Sequence, residues 1–97
     1  MNDDSTMSFV PTKSRNDYKA GSLYRYTPCD SVVLCLYDSL QDYHCYALGY
    51  SAEPGTVFMI ISVSKDQPEK VLTSDGYIGY AGLYYPDIEI AVNNHWN

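Results

Sequence analysis

The chain has 97 residues, of which six are lysine or arginine and twelve are aspartate or glutamate, so its formal net charge is −6. Its length suits one domain and leaves no room for a second. Because 45% of the residues are apolar and only 19% are charged, the composition excludes disorder over the whole chain. The acidic balance argues against direct binding of nucleic acid, since sequence-independent binding relies on lysine and arginine to neutralise phosphates.

No segment of the sequence predicts a membrane or secreted protein. Its apolar runs, such as residues 57–61, are far shorter than the ~20 residues that span a bilayer. Acidic residues stand where a signal peptide needs positive charge, so we expect a soluble protein made in a cytoplasm. The three cysteines, Cys29, Cys35 and Cys45, are odd in number and lack a C-x-x-C spacing, which predicts free thiols.

Residues 1–20 are polar, carry both signs of charge and show neither helical nor strand periodicity. They predict a flexible N-terminal arm. Only Phe9-Val10-Pro11 interrupts the polarity, and an arm that orders on a partner, with Phe9 and Val10 as its anchor, is the open alternative. We place the folded domain at residues 21–92 and a C-terminal tail at residues 93–97.

From Gly21 onward, short apolar runs alternate with turn residues, and no segment keeps a helical period. Ser74-Asp75-Gly76 has the chemistry of a tight hairpin. The pattern predicts an all-β fold of five to seven short antiparallel strands, and the roughly 75 residues after the arm favour a small barrel over a sandwich. The candidate strands are residues 23–26, 32–37, 43–50, 56–64, 70–73, 77–81 and 88–92.

Residues 56–64 give the strongest strand signal. Side chains alternate between the two faces of a strand, and one face here is apolar without a break. We therefore expect that face to point into the core. Its members are Val57, Met59, Ile61 and Val63.

Residues 71–80, VLTSDGYIGY, together with the later Ile88-Glu89-Ile90, resemble a hairpin and closing strand found in small SH3-like barrel proteins of tailed bacteriophages. Residues 76–80, followed by Tyr84-Tyr85-Pro86, also resemble the end of an SH3 domain. The resemblance implies an SH3-like barrel over residues 21–92. It also implies a phage protein, located in the virion or in the host cytoplasm.

Two roles are open under this resemblance. One is a virion accessory that contacts capsid, neck or tail subunits, and the other is an early host-takeover inhibitor that binds a host enzyme through an acidic, tyrosine-rich surface. A signalling SH3 domain binds proline-rich peptides in an aromatic groove. This chain departs from that pattern, because Lys70-Val71-Leu72 stands where a tryptophan pair normally opens the strand.

Residues for catalysis are scarce. A nucleophile needs a base within reach, usually a histidine, and the chain offers only His44, inside a predicted strand, and His95, near the last residue. We predict no enzyme activity, no cofactor and no metal site, because a closed zinc site needs four ligands. An enzyme hypothesis stays open only for a deep pocket that contains both His44 and a cysteine.

The 11 tyrosines exceed what a small barrel can bury, so several rings should be exposed. Tyrosine is enriched at protein interfaces, although half-exposed tyrosines also cover β-surfaces without any partner. We predict a protein partner, from the phage or its host, with no membrane or nucleic-acid contact, and homo-oligomerisation as a further possibility. The candidate contact residues are Tyr24, Tyr26, Tyr77, Tyr84 and Tyr85, with Phe9 and Val10 from the arm.

Overall fold

The computed structural model of the chain describes residues 8–65, 68–83 and 87–92. The described residues form eight strands, one α-helix and one 3-10 turn at Arg15–Asp17, so the all-β prediction is confirmed. None of the helical segments in this part of the chain has the length and apolar character needed to cross a membrane. The elements are β1 (Ser8–Pro11), β2 (Leu23–Tyr26), β3 (Leu34–Leu36), α1 (Leu40–Cys45), β4 (Tyr50–Ala52), β5 (Val57–Ser62), β6 (Glu69–Thr73), β7 (Ile78–Ala81) and β8 (Ile88–Val92).

The strands form two antiparallel sheets, which together make one continuous ladder. Six strands pair in the order β1-β8-β2-β5-β6-β7, and β3 pairs with β4. A β-bridge joins the two parts, in which the Tyr37 N–H donates to the Tyr80 carbonyl at 2.8 Å and the Tyr80 N–H donates back at 2.7 Å. Among the described residues the two ends of the ladder, β1 and β4, do not pair, so the predicted closure into a barrel is not present there.

Buried side chains alternate along the central strands. Tyr24 and Tyr26 of β2 face the same side as Phe58 and Ile60 of β5, and the Tyr24 ring stacks on Phe58 with centroids 5.8 Å apart. The buried apolar residues are Tyr18, Tyr24, Tyr26, Leu34, Leu36, Ala52, Phe58, Ile60, Val71, Ala81, Leu83 and Ile88.

The predicted core face of β5 is wrong. Phe58 and Ile60 are buried, whereas Val57 and Met59 are only partly buried and Ile61 is exposed. The reason is that β5 is apolar on both faces, so alternation alone could not decide which face enters the core. Pairing decides it, because Phe58 lies opposite Tyr24.

The described part of the predicted arm, residues 8–20, lies on the sheet. β1 pairs with β8 along all four of its residues, and the buried Tyr18 ring packs edge-on against Tyr24 at 5.8 Å. The Tyr24 hydroxyl accepts the Lys19 N–H at 2.7 Å and donates to the Asp17 carbonyl at 2.9 Å. Four residues are too few to show a strand period among polar neighbours, which is why the sequence did not reveal β1.

Residues 40–45 form a helix where the sequence predicted a strand over residues 43–50. The Ser39 hydroxyl caps the first turn by accepting the Asp42 N–H at 3.0 Å. This Ser-x-x-Asp spacing is a known helix-start signal. The alternating apolar pattern of residues 43–50 obscured it, since that pattern fits a strand equally well.

Candidate protein-binding surface

A cleft of about 380 Å³ lies between β3, α1 and the chain near Gly82 and Asp87. We call it the tyrosine cleft. Its buried part is formed by Tyr26 and Leu34, and most of its other side chains are partly or fully exposed. The lining residues are Tyr26, Val32, Val33, Leu34, Cys35, Tyr37, Tyr43, His44, Tyr46, Gly82 and Asp87.

The wall of the tyrosine cleft is held by backbone pairing and aromatic contacts. The bridge to Tyr80 fixes Tyr37 at the end of β3. Tyr43, on α1, packs edge-on against Tyr37 with ring centroids 5.4 Å apart. A Cβ at Gly82 would lie 3.2 Å from the Tyr43 hydroxyl, so the missing side chain makes room for this ring. These contacts set the shape of the cleft before any ligand arrives.

The rim of the tyrosine cleft exposes apolar side chains. No residue of α1 is buried. Tyr46, directly after the helix, is 84% exposed, and Val32 and Val33 are 51% and 38% exposed. Scattered single exposed apolar residues are normal on a monomer, but a cluster around a concave site marks an interaction surface.

Tyr46 also has an uncommon backbone conformation. Its φ of 60° and ψ of 31° lie in the left-handed region, which costs an L-residue roughly 1–2 kcal/mol and is usually occupied by glycine after a helix. The conformation ends α1 and is accompanied by an Ala47 N–H to Asp42 carbonyl bond of 2.9 Å. A large, exposed ring in a position that favours glycine suggests a role outside folding.

The segment that carries the tyrosine cleft is acidic. Between Arg25 and Lys65 the chain has four acidic residues and no lysine or arginine. Within the cleft, burial is the main cause that raises the pKa of Tyr26, and the charges of Asp87 and Asp30 add to it. The cleft therefore presents hydroxyl groups and aromatic faces beside acidic charges.

The structure removes Tyr24 and Tyr26 from the predicted contact surface. Tyr24 is completely buried, and Tyr26 is 4% exposed. Both stand on the core side of β2, two residues apart, in a central strand where that side has no access to solvent. Only an edge of Tyr26 reaches the tyrosine cleft.

The remaining predicted contact residues are not brought together. Tyr77 precedes β7, whereas Phe9 and Val10 are on β1 at the opposite edge of the six-stranded sheet. The Phe9 ring lies under the Arg25 guanidinium, and its centroid is 4.4 Å from Arg25 Cζ. Val10 is exposed. Tyr84 and Tyr85 lie outside the described residues.

The sequence did not identify most of the cleft. Tyr37, Tyr43 and Tyr46 fall in the predicted strands 32–37 and 43–50, and none of them is among the predicted contact residues. The signal that could have placed them is the Ser39 cap, since a helix beginning there puts residues 43 and 46 on its last turn and end.

His44 and Cys35 both line the tyrosine cleft, which is the residue pairing that the enzyme hypothesis requires, but the hypothesis also requires a deep pocket, and His44 is exposed here. His44 packs edge-on against Tyr43 at 5.4 Å. The Cys35 thiol lies beside the Tyr37 hydroxyl. Desolvation is the main cause that raises the pKa of Tyr37, and the neighbouring thiol raises it further. Within the described residues, no three histidine, cysteine or acidic side chains are placed to hold a metal ion.

No family model, curated protein or solved structure matches this chain. The residues of the tyrosine cleft themselves are therefore the basis for assigning a function.

Proposed function

We propose that this chain is a non-enzymatic protein-interaction module that binds its partner through the tyrosine cleft. The observation that carries this proposal is Tyr46, which is 84% exposed in a left-handed conformation beside a helix with no buried residue. Tyr46 and α1 therefore contribute little buried surface to the core. Tyr46 provides an exposed aromatic contact of the type that dominates binding energy at interfaces.

The charge of the cleft indicates a partner that presents lysine or arginine. Asp87 lines the cleft, the charges of Asp87 and Asp30 act on its Tyr26 hydroxyl, and tyrosine faces attract cations by a further amount of about 0.5–2 kcal/mol. Val32 and Val33 on the rim suit an apolar side chain next to the cation. The same acidic charges repel phosphates, so this surface is unsuited to nucleic acid.

Affinity measurements with defined peptides test this proposal. We expect peptides of about ten residues that combine arginine or lysine with leucine to bind at least about tenfold tighter than peptides in which glutamate replaces the cations. Tyr46→Ser should weaken binding at least about tenfold. Val63→Ser removes an exposed apolar side chain away from the cleft and should leave the affinity unchanged.

Two results would overturn the proposal. One is equal affinity for the cationic and acidic peptides. The other is a Tyr46→Ser variant that binds as well as the unaltered chain while remaining folded by circular dichroism.

The biological setting that we propose is the virion of a tailed phage, where the chain acts as an accessory to capsid, neck or tail subunits. The resemblance of residues 71–80 and 88–90 to phage barrel proteins supports this setting. Mass spectrometry of purified particles should find the chain in stoichiometric amounts. Its absence from particles, together with its presence in infected cells, would favour the host-takeover role.

The shared position of His44 and Cys35 supports a second candidate, thiol chemistry in the cleft. Alkylation by iodoacetamide, followed residue by residue, separates the two functions. For a binding module, Cys35 should react no faster than the exposed Cys29, and Cys35→Ser should retain peptide affinity. A rapid reaction of Cys35 that disappears in His44→Ala would favour catalysis.

A further inference from the structure

The outward face of the six-stranded sheet carries a continuous apolar row. Strand pairing places Leu23 opposite Met59, Met59 opposite Leu72, and Leu72 opposite Ile78. Directly opposed residues of an antiparallel pair point to the same face. These four side chains therefore line up across β2, β5, β6 and β7, on the side away from the core residues Tyr24, Phe58 and Val71.

The row continues to the other edge of the sheet. Tyr24 lies opposite Ile90, so the next pair in that register is Leu23 and Ala91. Ala91 lies opposite Phe9. The complete set, which we call the outer row, is Phe9, Ala91, Leu23, Met59, Leu72 and Ile78.

The outer row is accessible in the described structure. All six residues are at least partly exposed, and Ile78 is 50% exposed. Leu23, Met59 and Leu72 line a shallow depression of about 350 Å³. A sheet that is apolar on both faces normally has both faces covered, but the inward core covers only one face here.

The charged residues beside the outer row already have partners in the same chain. Arg25 forms a salt bridge with Glu89, with Nη2 and Oε1 2.7 Å apart. The Lys70 ammonium lies 5.9 Å from the centre of the Tyr80 ring. Among the described strand residues, the face therefore offers apolar surface whose neighbouring charges are already paired.

We infer that a second copy of this chain covers the outer row in a two-fold dimer. In a two-fold interface the same patch serves both partners, so a neutral apolar row meets an identical row. Face-to-face packing of two sheets about 10 Å apart is the ordinary way to bury such surfaces. Contact through the outer row also avoids the acidic segment that carries the tyrosine cleft. The charge of that segment would repel another copy of the chain, whose net charge is −6.

The area of the face sets the strength of this dimer. Five spacings of about 4.8 Å across the strands and about 15 Å along them give about 400 Å² per copy. Stable interfaces bury about 800 Å² per partner. The dimer should therefore exchange with monomer and dissociate on dilution.

Sedimentation velocity over a concentration series tests the inference. Between about 5 µM and about 500 µM we expect the mass to rise from the monomer value of 11.0 kDa toward twice that value. Higher salt should strengthen association, because it screens the repulsion between two acidic chains. The double variant Met59→Gln, Leu72→Gln should remain monomeric throughout.

Control variants separate this interface from a folding defect and from the tyrosine cleft. Val32→Gln removes an exposed apolar side chain that lines the tyrosine cleft and lies outside the outer row, and this variant should dimerise like the unaltered chain. Ile78→Gln, at a half-exposed position that tolerates a polar residue, should weaken association several-fold even if the double variant fails to fold. A chain that stays monomeric at every concentration, or an Ile78→Gln variant that associates normally, would overturn the inference.

Discussion

Tyr77 stacks on Tyr50 with ring centroids 4.5 Å apart and ring planes within 17° of parallel. The Tyr77 hydroxyl donates to Asp38, just before α1, and the Tyr50 hydroxyl donates to Asp75, in the β6–β7 turn. This crossed arrangement ties the hairpin to the segment that carries the tyrosine cleft. A Cβ at Gly49 would lie only 2.7 Å from the Tyr77 hydroxyl, so the chain leaves space for the contact.

The Tyr77 contact should make stability depend on alkaline pH. Desolvation by burial, then the hydrogen bond and charge of Asp38, raise the pKa of Tyr77 to about 12 from its ordinary value of 10.0. The folded chain therefore holds this proton more tightly than the unfolded chain. The contribution is complete below pH 10 and is lost as pH rises from 10 through 12.

Urea denaturation between pH 9 and pH 12 measures this loss. Tyr77→Phe should be less stable by about 1 kcal/mol at neutral pH, because the Asp38 hydrogen bond is gone, and should lose less stability on going to pH 12. The slope should not vanish, because the pKa values of Tyr24, Tyr26, Tyr37 and Tyr50 are also raised. An unchanged slope would show that Tyr77 titrates as it does in the unfolded chain.

Gly79→Ala should destabilise the fold by about 2 kcal/mol, as expected for overpacking. The new Cβ would lie 2.7 Å from the Tyr77 ring and 3.0 Å from the Tyr37 carbonyl oxygen, which accepts the Tyr80 N–H in the bridge between the two parts of the ladder. Thermal unfolding gives the comparison. Gly82→Ala is the matched control and should cost less, because its Cβ meets only the movable end of Tyr43 at 3.2 Å.

Tyr46→Gly should separate stability from binding. Relief of the left-handed conformation, less the backbone entropy that glycine loses on folding, should stabilise the chain by about 0.5–1 kcal/mol. The same change removes the exposed ring from the cleft rim and should weaken the affinity for cationic peptides at least about tenfold. Urea denaturation and peptide titration of one preparation give both values, and a variant that is both less stable and fully competent in binding would contradict this role of Tyr46.

Tyr24→Phe should increase the local opening of residues 17–19, which precede β2. The lost hydroxyl accepts the Lys19 N–H and donates to the Asp17 carbonyl, and the loss of one intramolecular hydrogen bond typically costs about 0.5–1.5 kcal/mol. Hydrogen exchange should increase at the Lys19 amide, while amides of β6 keep their relative protection. Uniform loss of protection across the sheet would indicate a global effect instead.

Most of the fold could be predicted from short apolar runs and turn chemistry. The Asp75-Gly76 turn forms as predicted, with Gly76 at φ 95°, and β2, β6, β7 and β8 lie within one residue of the predicted strands. The face of β5 could not be predicted, because both of its faces are apolar. Helix α1 was predictable in principle from Ser39, but its residues also alternate as a strand would.

From the sequence, the candidate site could be predicted only as an excess of tyrosine. The tyrosine count indicated that some rings must be exposed, but burial follows from pairing partners that the sequence does not specify. Tyr24 and Tyr26 are in the core because β2 is a central strand. Tyr46 is exposed because it ends a helix that the strand interpretation excluded.

We propose that the tyrosine cleft binds a cationic segment of a partner protein. The most direct test is an NMR titration of the isotope-labelled chain with the best cationic peptide and its glutamate counterpart, at protein concentrations below the onset of association. Saturable shift changes should centre on Val32, Val33 and Tyr46 with the cationic peptide, and none should occur with the acidic one. No saturable change up to millimolar peptide, or changes centred on the outer row, would contradict it.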